Sequence, residues 1–281
     1  MEDNVVKQMQ DAQLRILKEI DRVCEENGLE YCLAFGTEIG AIRHQGFIPW
    51  DDDIDIFMTV ADAEKLEKLQ DKFPPNLFVQ SRRTDPEFGL MISRVRDSNT
   101  TLIVNTEADW DINHGVFVDI YPLYNAPAGK IGRKLFLVRF MIARLLLYGK
   151  VPETHGTVMK TGSKVLLAMV PKRARKRIVD RMYRKMTAQP ENGTLTCGWA
   201  ELTKNVFPRE WFFPAKRVKF EDMQAPVPAE CEKILEISYG DYMTPPPPEK
   251  RVVHHDFVVA DFERSYTEYK GKKYLVKHNG Q

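Results

Sequence analysis

The sequence predicts an α/β (α+β) fold: a mixed sheet with flanking helices, followed by a basic helical insertion. Three observations predict it. Residues 4–27 place apolar side chains at helical spacing (Val5, Met9, Leu14, Leu17, Ile20, Val23) and stop at Asn27-Gly28, a glycine terminator. Short apolar runs of strand length then recur to about residue 120, separated by Gly, Pro and Asn. From Lys130 the apolar runs lengthen and carry lysine and arginine between them.

Taken in order, Tyr31–Phe35 reads as a short strand ending at Gly36-Thr37, and Ile39–His44 as one or two helical turns. Ile54–Val60 is a second strand, and Ala61–Lys72 a helix stopped by Pro74-Pro75. Leu77–Gln80, Leu90–Asp97, Leu102–Asn105 and Val116–Ile120 are further strands, the last closed by Pro122. The expected division is an N-terminal helix (1–28), a mixed α/β core (29–125), a basic amphipathic helical region (126–190) and a C-terminal part (191–281) that completes the domain. Pro245–Pro248 is a short rigid stretch.

At 43% hydrophobic, 281 residues suffice for one large core or a core with a subdomain, and the composition is not that of a disordered chain. Cys24, Cys32, Cys197 and Cys231 form no CxxC pair and have no zinc-site spacing, so they read as reduced thiols. The N-terminus lacks an apolar signal-peptide core, and the expectation is a cytoplasmic protein. A net charge of +1 hides an asymmetry: Lys130 to Thr187 holds 16 basic and two acidic residues, the remainder 25 and 38. One region is built to meet something negative. Its basic residues interleave with Phe136, Phe140, Leu147, Val165, Leu166 and Met169, which describes an interfacial helix on anionic lipid. The expected placement is therefore peripheral, on the inner face of a membrane; the alternative is helices packed on the core with solvated charges. Nucleic acid is not expected, since no recognised binding motif accompanies the charge.

The most informative stretch is FGTEIGAIRHQGFIPWDDDIDIFM, residues 35–58. In a strand, residues i and i+2 share a face, so Asp53 and Asp55 project together while Ile54 and Ile56 face the core. Such a pair is costly without a cation between the carboxylates. Magnesium suits it, taking oxygen ligands and sharing substrate phosphates. The alternative is a solvated acidic turn. A calcium loop is excluded, because Ile56 and Asp62 stand where it needs Gly and Glu. Gly36-Thr37 at a helix start presents backbone N–H groups suited to phosphate. Further on, GVFVDIYPLY sets Asp119 between Val118 and Ile120, a lone carboxylate costly to bury without a role.

This ordered set resembles the nucleotidyltransferase fold, in which three carboxylates hold a divalent metal against a nucleotide's phosphates. It is similar at greater length to the signature of the LicD family, the bacterial phosphocholine transferases related to fukutin and fukutin-related protein. Gly36, Thr37, Gly40, Arg43, His44, Gly46, Pro49, Trp50 and the aspartates all fall in place. YGDYMTPPPPEKRVVHH, from Tyr239 to His255, is similar to the family's C-terminal motif, with four prolines where the family has one or two. The resemblance spans about residues 25–255 and is weakest in the basic middle.

The resemblance implies transfer of a phospho-alcohol group from a CDP-alcohol, such as CDP-choline, to a sugar or lipid-linked glycan acceptor, with release of CMP. The products would be decorated lipopolysaccharide, teichoic acid, capsule or glycolipid. It further implies that Asp53, Asp55 and Asp119 are catalytic and hold Mg²⁺, with Mn²⁺ as the alternative, and that Asp119 doubles as the base for the acceptor hydroxyl. It places Gly36, Thr37, Arg43, His44, Gln45, Gly46, Arg251 and His254 in substrate binding. Each has a plainer role beside it: Arg43 as a salt-bridge partner of the aspartates, His44 as a hydrogen-bonded rim histidine, Arg251 as a solvated charge, and His254-His255 as surface residues. Trp50 reads as packing the loop. Tyr239 and Asp241 join the site only through the same resemblance. An aromatic cage for choline would draw on Trp199, Trp211, Phe212, Phe213, Tyr239 or Tyr242, which equally suit a core. Two other functions fit the carboxylates: a nucleotidyltransferase releasing pyrophosphate, and a non-catalytic membrane-associated binding protein.

Overall fold

The computed structural model describes residues 2–151, 157–199, 205–253 and 256–276. The fold is mixed α/β, and the chain separates into two compact units. The first comprises Met1–Phe88, Ile92–Pro122 and Arg209–Gln281, the second Gly89–Met91 and Leu123–Pro208.

In the first unit, helix α1 (Glu2–Asn27) ends where Gly28 takes φ 63, a left-handed conformation that costs glycine little. Strand β1 (Tyr31–Leu33) leads into helix α2 (Phe35–His44). The strand is two residues shorter than its apolar run predicts, because Phe35 has φ 48 and turns the chain. Its ring packs edge-on against Phe57 and Tyr121, with centroids 4.9 Å away in each case. Strand β2 (Asp55–Thr59) precedes helix α3 (Val60–Lys68), whose first turn is capped by the Thr59 hydroxyl accepting the Asp62 N–H at 3.1 Å. The helix expected to reach Lys72 yields at Leu69 to a tight turn over Gln70–Lys72.

Strands β3 (Leu77–Gln80), β4 (Ser93–Asp97), β5 (Thr101–Val104) and β6 (Val116–Asn125) follow. The sheet of this unit runs β1-β2-β6-β4-β3, with β4 antiparallel to both β3 and β6. Pro122 does not close β6, contrary to its sequence reading. The β4 ladder ends at Ile120 and the next pairing begins at Tyr124, so the missing N–H falls between ladders.

In the second unit, helices α4 (Gly129–Tyr148), α5 (Thr157–Met169) and α6 (Lys172–Thr187) are followed by β7 (Thr194–Thr196) and β8 (Phe207–Pro208). The end of β6 pairs with β7, and β7 with β8. The chain then returns to the first unit with the hairpin β9 (Lys216–Phe220) and β10 (Met223–Val227), helix α7 (Cys231–Tyr239) and strand β11 (Phe257–Asp261), which pairs with β5. No helix among the described residues is long and apolar enough to cross a membrane. All four cysteines are buried free thiols, as expected.

Strand alternation gives the sheet of the first unit two unlike faces. Leu33, Ile54, Ile56, Val95, Val116, Val118 and Ile120 join one core with Met9, Ile16, Leu17, Ile20 and Val23 of α1. The opposite parity carries Asp55, Arg94, Arg96, Asp119 and Tyr121. The α1 contact therefore supports the sheet from behind. Leu17→Ala, at a fully buried position, should lower unfolding free energy by about 2–5 kcal/mol in urea denaturation.

Candidate active site

The acidic stretch is a built loop. Helix α1 holds its backbone: Gln10 Nε2 donates to the Asp51 carbonyl and Gln13 Nε2 to the Asp52 carbonyl, both at 2.9 Å. Asp51 and Asp52 are buried and Asp53 is half-buried, which rules out a solvated turn. One carboxylate oxygen from each of the three lies within 4.8 Å of the others. At Gly36, a Cβ would stand 2.8 Å from Asp51 Oδ2, so the glycine lets α2 approach the loop. Thr37 Oγ1 accepts the Asp55 N–H at 2.9 Å and ties the first turn of α2 to β2.

Asp55 begins β2, and Asp53 lies in the loop before it. The two are brought together by loop geometry and not by two successive same-face positions of a strand. Asp55 is buried, and its Oδ1 has no hydrogen-bond partner. Burial, then the charges of Asp53, Asp119 and Asp51, push its carboxyl well above the usual range, with Arg94 acting the other way. An orphaned buried oxygen among like charges, in an all-oxygen donor set, fits a hard divalent cation.

Asp119 is not the lone carboxylate that its apolar neighbours suggest. It lies directly across the ladder from Arg94, whose Nε donates to Asp119 Oδ1. Arg94 Nη1 also forks onto both oxygens of Glu107, at 2.9 and 2.8 Å, and Arg96 Nη2 reaches Glu107 Oε2 at 3.3 Å. Both guanidinium groups lie over the Phe117 ring, at 3.8 and 4.7 Å from its centroid. Arg94, Arg96 and Glu107 were missed by the sequence reading. The available signal was SRVRD, two arginines of one parity inside a buried strand. Tyr121, two residues past Asp119, also belongs here. Burial and the charges of Asp55, Asp119 and Asp53 keep its phenol protonated well above the usual range.

The other end of α2 is basic. Arg43 Nη1 donates to the Tyr242 carbonyl at 2.5 Å, and its Nε to His44 Nδ1 at 3.4 Å. Burial and then the charge of Arg251 lower the Arg43 pKa, so the two guanidinium groups are neighbours. Arg251 lies over the Trp50 ring, 5.2 Å from its centroid, and donates to the Pro246 carbonyl. Among the described residues, neither arginine pairs with a carboxylate, and the expected alternative of Arg43 bonded to the aspartates is not seen. His44 is lowered from its ordinary value by burial and by Arg43, and faces Trp50 edge-on at 6.5 Å. Trp50, Tyr239 and Tyr242 pack on Ile39, Ile48 and Leu235. The fold thus brings the C-terminal motif to the first motif.

Gln45 and Gly46 serve the turn after α2. Gln45 caps the helix with φ 57, and its carbonyl accepts the Glu221 N–H at 2.9 Å. A Cβ on Gly46 would collide with the Glu221 carboxylate, whose Oε1 accepts the Phe47 N–H at 3.0 Å. Asp241 accepts the Thr244 N–H at 3.2 Å in a local turn. His254 and His255 lie outside the described residues. Of the aromatics considered for a cage, Phe212 and Phe213 are core, Trp211 packs under Lys233, and Trp199 belongs to the second unit beside Phe140 and Arg144. A cavity of about 570 Å³ lined by Leu77, Phe78, Asp111, Tyr266, Lys270 and Tyr274 includes none of the site carboxylates.

The Arg94 network makes a quantitative claim. Arg94→Ala strands Asp119 and Glu107 as buried charges and should cost about 3–5 kcal/mol, read as a lower urea midpoint at unchanged slope.

Comparison with known proteins agrees with this geometry. Residues 28–138, which contain Asp51, Asp52, Asp53, Asp55, Glu107 and Asp119, match the family model for the LicD/FKTN/FKRP nucleotidyltransferase domain. The chain is 26% identical over 266 residues to the lipopolysaccharide cholinephosphotransferase LicD of Haemophilus influenzae, covering 91% of this chain and 97% of that protein. Uncharacterized proteins of Rickettsia prowazekii and Rickettsia typhi are 36% and 34% identical over 59 residues, 21% of this chain and about a fifth of each relative (22% and 19%). The match over the site and the end-to-end similarity agree: residues 28–138 carry a LicD-type nucleotidyltransferase domain, and the chain is similar to LicD over nearly its whole length.

Proposed function

We propose that this protein is a transferase that passes a phospho-alcohol group, phosphocholine or a close relative, from a CDP-alcohol to a sugar hydroxyl of a surface glycan or glycolipid precursor. The observation that carries the reading is the buried, partnerless Asp55 Oδ1 among the carboxylates of Asp51, Asp53 and Asp119. Likeness to a lipopolysaccharide cholinephosphotransferase over 91% of the chain supports the substrate class.

Asp53, Asp55 and Asp119 would hold Mg²⁺, with Asp51 and Asp52 beside them. Mg²⁺ held there would offset charge on the donor's pyrophosphate. Arg94 fixes the direction of Asp119. That grip favours the ligand role of Asp119 over a role as proton acceptor. Arg43 and Arg251, free of carboxylate partners among the described residues, suit the donor's phosphates, since a guanidinium forks onto phosphate oxygens. His44, neutral beside Arg43, adds a hydrogen-bonding rim without competing charge. In the reaction the acceptor oxygen bonds to the phosphorus that bears the alcohol. The bond from that phosphorus to the CMP oxygen breaks, CMP leaves, and the hydroxyl proton is released to solvent.

Purified protein with CDP-choline, a lipopolysaccharide or glycolipid acceptor and Mg²⁺ should release CMP, measured chromatographically. Pyrophosphate release from a nucleoside triphosphate instead would establish the nucleotidyltransferase reading. Asp55→Asn should abolish turnover, while the metal-free protein becomes more stable than wild type, because a buried repulsive charge is gone. A folded Asp55→Asn protein with a wild-type rate would sink the proposal.

The same carboxyl predicts a pH dependence. Its folded pKa lies above the ordinary 3.8, so the folded state holds this proton more tightly than the unfolded state. Its contribution therefore lowers metal-free stability as pH rises from about 4 through the raised folded value. Comparing the melting temperatures of wild type and Asp55→Asn across pH isolates it. The gap should open as pH rises and narrow when Mg²⁺ is added.

A further inference from the structure

The second unit presents a surface that the transfer reading does not use. On α4, Phe136, Phe140, Ala143 and Leu146 are buried and define the inward face. The outward face of such a helix is ordinarily polar. Here Ile131, Leu135, Val138 and Met141 are exposed, Ile131 at 86%. Ile131, Leu135 and Val138 follow the i, i+4, i+7 spacing of one stripe. On α5, Val165 and Met169 repeat the pattern four residues apart, Met169 at 74% exposed. Of the twelve large apolar side chains exposed among the described residues, seven fall between 131 and 169, so the apolar exposure is concentrated in this unit.

The charge is concentrated in the same place. Lys130, Arg133 and Lys134 are exposed in the first turns of α4, and Lys172, Arg173, Lys176, Arg177 and Arg181 on α6. Within Lys130–Thr187 only Glu153 and Asp180 oppose sixteen basic residues.

We infer that the second unit seats on an anionic lipid surface, with the Ile131–Leu135–Val138 stripe of α4 at the depth of the acyl-chain boundary and the surrounding lysines and arginines at the headgroups. Aliphatic exposure and positive charge together select this occupant. A nucleic-acid backbone would satisfy the charge and leave the aliphatic stripe wet. A bilayer surface satisfies both, because long basic side chains extend to the headgroups while the apolar stripe enters the interface. No described helix can cross the bilayer, so the unit lies on it. This stands on the second unit alone. Vesicle binding requires no turnover, so a failure here leaves the transferase reading intact, and a failed transferase assay leaves this inference intact.

The test is co-sedimentation of the full chain with vesicles of phosphatidylcholine alone, or with about 30% phosphatidylglycerol. The expected result is binding at least tenfold tighter to the anionic vesicles, weakened in about 0.5 M salt. Leu135→Glu/Val138→Glu should lose at least tenfold of that binding with an unchanged melting temperature. Ile131→Glu, at a position too exposed to affect folding, should lose part of it. The inference is overturned by no preference for anionic vesicles, by wild-type binding in both variants, or by concentration-dependent self-association of the free protein that the double variant abolishes. The last would assign the stripe to a second copy of this chain. Tighter binding to single-stranded RNA than to anionic vesicles, unchanged in the variants, would also overturn it.

Discussion

Like charge confined out of water is the constraint around which the first unit is organised. Asp51, Asp52 and Asp53 bring carboxylate oxygens within 4.8 Å of one another, and Asp55 and Asp119 add to the same field. At an effective dielectric constant of about 20, two unit charges at 4.8 Å repel by about 3 kcal/mol. A loop free to move would relax that repulsion by opening. This loop does not open, because Gln10 and Gln13 of α1 hold its carbonyls and α2 closes on it across the bare Cα of Gly36. The apolar face of the sheet is what seats α1, so the packing behind the sheet maintains the electrostatic strain in front of it.

The same constraint gives α2 its two unlike ends. Its first turn, at Gly36 and Thr37, meets Asp51 and Asp55, and the positive end of a helix dipole favours negative charge there. About two turns on, Arg43 and His44 meet Arg251, Trp50 and the Tyr242 carbonyl. Burial and the charge of Arg251 depress the charge of Arg43, and among the described residues neither arginine meets a carboxylate. One short helix thus joins an acidic pole to a basic one. On the proposed function, a metal-bound pyrophosphate would meet both.

Much of this was legible in the sequence, and for a physical reason. Period-2 and period-3.6 patterns report which face of an element is buried, and α1, β3 and the order of the early strands follow from them directly. The proximity of Asp51 to Asp55 is local in the chain, so it too could be read. What could not be read was tertiary pairing. Asp119 looked isolated because its neighbours in sequence are Val118 and Ile120, whereas its partner, Arg94, lies across the ladder on β4. Arg43 looked available to the aspartates by sequence distance, yet it reaches Tyr242, 199 residues away. Pro122 looked like a strand end because sequence shows the missing N–H but not whether a partner strand asks for it there. Sequence patterns fix which way a side chain faces; which other side chain it meets depends on register.

Arg94 also divides labour among the carboxylates. Asp119 is compensated inside the protein by a guanidinium that Glu107 holds and Phe117 supports. Asp55 has no such partner: its Oδ1 is orphaned, and the nearest compensation, Arg94, is already committed to two other acids. Had every carboxylate an internal counter-charge, the loop would be stable and have no reason to take a cation. Had none, the repulsion would fall on the fold itself, and the sheet would part at β2 and β6. Compensating one and leaving the other gives a sheet that holds together without a cation and a site whose remaining charge a proton or a cation relieves. On this argument Arg94 sets how much of the acidic field reaches the ligand, although it faces the interior and not the substrate.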